Sequence, residues 1–172
     1  MVLAPIAPPF PLAVSFGVLC SLLFLRSRKA IVPIICSMPV FLLAHVIAHA
    51  AYHALGSDGA ALAMSFGGFV GALLMTGLFG VFRRQFLTWR CLAGAALIGA
   101  LAAIPFGAWL RLTVAESRKG FSQDDPEKWL WLLKTSYAFW QAALGTYLYS
   151  ISVLVPERAR LPEAPPPLPA ES

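Results

Sequence analysis

Runs of apolar residues, each closed by a cluster of charge or by a glycine turn, divide this chain into five blocks. The first, Phe10 to Leu25, follows a lead carrying Pro5, Pro8, Pro9 and Pro11 and stops at Arg26-Ser-Arg-Lys29. The second, Ala30 to Leu55, contains no Asp, Glu, Lys or Arg and ends in Gly56-Ser-Asp-Gly59. The third, Ala60 to Phe82, meets Arg83 and Arg84, and the fourth, Cys91 to Leu110, meets Arg111. A polar connection from Arg111 to Lys128 precedes the fifth, which runs to Val155 and stops at Pro156. A soluble core helix interrupts its apolar stripe with polar residues every turn, whereas the first four blocks lack charge along their length and the fifth carries only Lys134 near its start. At a rise of about 1.5 Å per residue, about 20 such residues cross the hydrocarbon core of a bilayer.

The pattern therefore predicts an all-α polytopic integral membrane protein, a bundle of five transmembrane helices over 10–25, 30–55, 60–82, 91–110 and 132–155. Residues 1–155 are expected to form a single transmembrane domain, and 156–172 a disordered, Pro-rich cytoplasmic tail. In the first block the charge follows the apolar run instead of preceding it, the reverse of a secretory signal, so the block reads as a retained span. Pro33 falls in the opening turn of the second span, while Pro39 removes a backbone hydrogen bond inside it and is expected to kink it. Asp125-Pro126-Glu127 carries the signals of a helix start: an N-cap residue, a first-turn proline and an acid matched to the helix dipole. Trp129 and Trp131 suit the headgroup level, and the amine of Lys134 can extend back to water.

Two spans carry stripes of small residues at spacing four: Gly68, Ala72, Thr76 and Gly80 in the third, Ala95, Gly99, Ala103 and Gly107 in the fourth. Such stripes let helix backbones approach closely in lipid. They are expected to face neighbours, either each other or the surface of a homo-oligomer or larger membrane complex.

Composition agrees with a lipid solvent: 59% of residues are hydrophobic and 12% charged, against about 25% charged in soluble domains. The net charge of +5 would suit nucleic acid if it were pooled on one surface. Instead it sits at the ends of the blocks, where it sets topology by the positive-inside rule, and no nucleic-acid partner is expected. Arg26, Arg28 and Lys29 mark one cytoplasmic loop, and Arg83, Arg84 and Arg90 another, while the loop between spans two and three holds only Asp58. This places the N-terminus outside and the C-terminus in the cytoplasm, in a cell or inner membrane. Arg118, Lys119 and Lys128 in the fourth connection run against the rule, next to Glu116, Asp124, Asp125 and Glu127. Cys20, Cys36 and Cys91 are widely spaced and form no zinc or redox motif, so they read as small core residues.

The chemistry is concentrated in the second span, which contains every histidine of the chain: His45, His49 and His53. Measured from Leu55, they lie about 15, 9 and 3 Å along the helix, a ladder descending from the outer face. Neighbours four apart can share a metal ion, but His45 and His53 are about 12 Å apart in rise, too far for one ion with bonds near 2 Å. A transition-metal site would need a further ligand from Asp58, Tyr52, Gln141 or the acids of the Asp124 to Glu127 loop. Haem is a second option, although one helix cannot supply both axial faces. Proton movement along spaced imidazoles is a third. The bland alternative is neutral rings bonded to carbonyls freed by Pro39, to Ser65 or to Gln141.

No Ser-His-Asp order, phosphate-binding glycine loop or paired intramembrane carboxylates accompanies the ladder. The leading expectation is a non-enzymatic module: a small transport component or accessory subunit whose outward-facing histidine line handles protons or a transition metal. The alternative is a metal- or haem-dependent membrane enzyme acting on a lipid or quinone.

Overall fold

The computed structural model describes residues 10–24, 31–117 and 126–154. The Pro-rich lead, the Arg26 to Lys29 cluster, Asp124, Asp125 and the tail after Val155 lie outside them. The described chain is all helical: α1 Phe10–Phe24, α2 Ile31–Leu55, α3 Ala60–Phe82, α4 Trp89–Ser117 and α5 Pro126–Leu154. Short 3-10 turns, Ser57–Gly59 and Arg84–Leu87, join α2 to α3 and α3 to α4.

Three segments are long and apolar enough to cross a bilayer: Ile31–Leu55, Ser57–Phe82 and Trp89–Leu112. The five expected spans thus reduce to three by length and composition among the described residues. At 15 residues α1 is short of the about 20 that a crossing needs. Helix α5 is long enough, but Gln141, Thr146, Ser150 and Ser152 dilute its apolar character.

The helix ends follow local chemistry. Gly56 closes α2 at φ 70°, a conformation that favours glycine, with its N–H donating to the Tyr52 carbonyl at 2.8 Å. Helix α2 continues through Pro39, and α5 begins at Pro126. The connection expected from Arg111 is helical through Ser117. Backbone hydrogen bonding continues past the end of the apolar block because no glycine or proline interrupts the chain before Gly120. Pro105 lies inside α4 without ending it.

Successive helices pack side by side, and α1 also meets α5, which closes the set into a ring. The most extensive pairing is α3 with α4, through the two small-residue stripes. A Cβ on Gly68 would collide with the Gly99 carbonyl and sit 2.8 Å from the Ala103 Cβ, and one on Gly107 would strike the backbone of Ala60 and Ala61. The stripes therefore face each other within one chain. The interior of α3 is built largely from Ala60, Ala63, Gly67, Gly71 and Ala72, while Leu62, Phe66 and Val81 point outward. Small residues inside and bulky apolar ones outside suit a surrounding of lipid.

Larger side chains fill the centre of the ring, where Phe16 from α1, Phe41 from α2, Met75 and Phe79 from α3, and Trp140, Leu144 and Leu148 from α5 form one cluster. No Cα of α2 comes within 8 Å of one on α5. Aromatic rings bridge that interval, with Phe41 4.6 Å from Tyr137 and 6.0 Å from Trp140 between ring centroids.

Gly99→Val should force α3 and α4 apart and lower stability by about 1–3 kcal/mol, the usual cost of overpacking. Gly77→Ala should be neutral or slightly stabilising, because nothing lies within 4 Å of the added Cβ and alanine is the better helix former. Denaturation midpoints of the detergent-purified variants check both.

Candidate functional site

The three imidazoles project from α2 at spacing four, so they share one face of the helix, a turn apart. The structure divides them into a single ring and a pair. His45 is half-buried, and its Nδ1 is hydrogen-bonded to the Tyr137 hydroxyl of α5 at 2.7 Å. His49 and His53 are exposed, and their Nε2 atoms approach to 3.1 Å with the rings nearly perpendicular at 84°. In that contact one ring donates and the other accepts. Between the two groups, the rings of His45 and His49 are almost parallel at 5° with centroids 6.4 Å apart. No direct hydrogen bond joins these two rings.

Tyr137 is positioned by its neighbours. Its ring lies between Phe41 and His45, so the phenol is held at the level of the deepest imidazole while its body joins the aromatic filling of the α2 to α5 interval. Tyr137 is not among the partners that the sequence suggests for the histidines. The available signal was its place in the outer half of the fifth span, at the depth of His45, combined with the polar tip that a buried tyrosine needs to satisfy.

The expected partners lie elsewhere. Asp58, in the α2 to α3 turn, forms an ion pair with Arg111 of α4 at 3.2 Å. Ser65 is half-buried on α3 with no hydrogen bond to a histidine, and Gln141 is buried one turn along α5 from Tyr137. Tyr52 meets His53 only ring to ring, at 6.1 Å. Among the described residues no three His, Cys, Asp or Glu side chains converge as a metal site. The cysteines Cys20, Cys36 and Cys91 are free.

No family model, curated protein or solved structure matches this chain. Its chemistry is therefore read from its own side chains. The arrangement supplies exchangeable protons and lone pairs in a line from the exposed end of α2 to the aromatic centre.

Tyr137→Phe deletes the one hydrogen bond that holds His45 and leaves a half-buried ring nitrogen without its partner, at a cost of about 1–3 kcal/mol. Asp58→Asn should cost less than about 1 kcal/mol, since both members of its ion pair are mostly exposed. Parallel denaturant titrations in detergent, repeated at high salt, separate the two: only the Asp58 effect should fade with salt.

Proposed function

We propose that the chain is a multi-pass integral membrane protein serving as a small transport component or accessory subunit, and that its histidine line handles protons. The observation that carries this reading is the 2.7 Å contact between His45 Nδ1 and the Tyr137 hydroxyl. It couples two proton-bearing groups from different helices at about mid-bilayer depth, where an imidazole without a role is costly to keep. His49 and His53 lead from that pair to the exposed end of α2.

In this reading α1 and α5 join the three long apolar helices as spans, since both complete the ring around the aromatic core. The N-terminus is outside and the C-terminus cytoplasmic. Arg83, Arg84 and Arg90 gather where α3 meets α4, whereas the α2 to α3 turn carries Asp58 alone. The histidine line then opens outward. Protons are favoured over a metal bound by the whole ladder because no third His, Cys, Asp or Glu converges on it among the described residues.

The test is proton flux into sealed vesicles carrying the purified protein and an internal pH dye. The wild type should conduct, and the His45→Ala, His49→Ala double variant should lose at least about tenfold of the rate, a barrier increase of about 1.4 kcal/mol. Its helix content and vesicle insertion should be unchanged. Equal flux from the two proteins, or none above empty vesicles from the wild type, would refute the assignment.

A further inference from the structure

We propose that His49 and His53 form a two-imidazole site for a divalent transition metal, zinc(II) or copper(II), at the exposed end of α2. With metal to nitrogen bonds of about 2.05 Å, two nitrogens 3.1 Å apart subtend an angle of about 98° at the ion. That value falls between the right angle of a square-planar or octahedral centre and the tetrahedral angle. The spacing is thus already that of two adjacent ligands.

Three further features select this pair and this class of ion. Both rings stand clear of the neighbouring helices and lie within about 9 Å of the end of α2, which leaves the remaining coordination positions of an ion unobstructed by the bundle. His45 is drawn away to Tyr137, so the ladder offers a pair and not a triad. The nearest carboxylate in sequence, Asp58, lies against Arg111, and no carboxylate or thiol joins the two rings among the described residues, so the donors present are nitrogen. Such donors favour copper(II), nickel(II) and zinc(II) over magnesium or calcium, with copper(II) the tightest.

Coordination and the existing hydrogen bond use the same atoms. In the hydrogen-bonded state one ring carries its proton on Nε2. To bind a metal, both neutral rings present Nε2 lone pairs, and the displaced proton moves to Nδ1 of the same ring. Rotation about the side-chain torsions turns the two lone pairs toward a common point. A bound ion therefore replaces the shared proton and closes the exposed end of the histidine line. This closing role rests on the proton reading; the binding site does not.

Calorimetric titration of zinc(II), and copper(II) paramagnetic resonance, on the full chain in detergent test the site. One equivalent should bind the wild type with nitrogen superhyperfine coupling from imidazole. His49→Ala and His53→Ala should each weaken binding by at least about tenfold, or about 1.4 kcal/mol, and His45→Ala should leave it unchanged. A flat wild-type titration, or binding indifferent to both rim variants, overturns the site. Binding that depends equally on His45 overturns the division into a pair and a single ring. In the vesicle assay, saturating zinc(II) should suppress wild-type flux. Undiminished flux refutes the closing role alone, and absence of flux without metal refutes the proton reading alone.

Discussion

The contact on which the arrangement depends is the approach of two backbones, α3 and α4, at Gly68 and Gly99 with Gly107 against Ala60 and Ala61. In the proposed lipid setting there is no hydrophobic gain in bringing apolar helices together, so close packing supplies the attraction. Side chains at these positions would hold the helices apart and weaken it. The contact has a further effect at the helix ends, where it brings Arg111 of α4 against Asp58 in the turn that follows the histidines. The exposed end of α2 is thus tied to α4 without any side chain of the ladder taking part.

Helix α5 follows from the same contact. The Tyr147 hydroxyl reaches the Cys91 carbonyl at 3.2 Å and the Arg90 carbonyl at 3.4 Å beside Gly94, whose lack of a side chain admits the phenol. That interaction lies well along α5 from Tyr137 and fixes the helix against α4 and α1 instead of against α2. Because α5 is held by other neighbours, it can stand away from α2, and the interval is filled by Phe41, Tyr137 and Trp140. A close α2 to α5 pairing would leave no room for a ring between them. The hydrogen bond to His45 is a product of that spacing.

The number and limits of the helices were largely legible, because apolar blocks and turn residues act locally. Gly56 and Pro126 each stand at a helix limit for reasons visible within a few residues. The extension of α4 to Ser117 was not, because hydropathy marks where lipid would end and not where backbone hydrogen bonding ends. Which histidine meets which group was even less accessible. Spacing alone makes His45 with His49 equivalent to His49 with His53, yet the rings pair only in the second case. The symmetry is broken by Tyr137, more than ninety residues away in the chain, and no local signal carries a contact of that separation. Asp58 was attractive as a ligand for its closeness in sequence, but the α3 to α4 contact supplies it with an arginine first.

The break between His45 and His49 gives the line its character. A continuous chain of direct hydrogen bonds would hold one polarity of donors and acceptors until every member reoriented. Here the rim pair and the deep pair can each change tautomer separately, because no direct hydrogen bond joins His45 to His49. Under the proposed proton reading, transfer between the two pairs needs a bridging water, and the step most sensitive to hydration lies between an exposed ring and a half-buried one. Whatever excludes water from that point isolates the His45 and Tyr137 pair from the surface, and an ion on the rim imidazoles would act one turn above it. Under the proton and metal proposals above, control at the mouth and exchange at depth are separated along a single helix face by Tyr137 of α5.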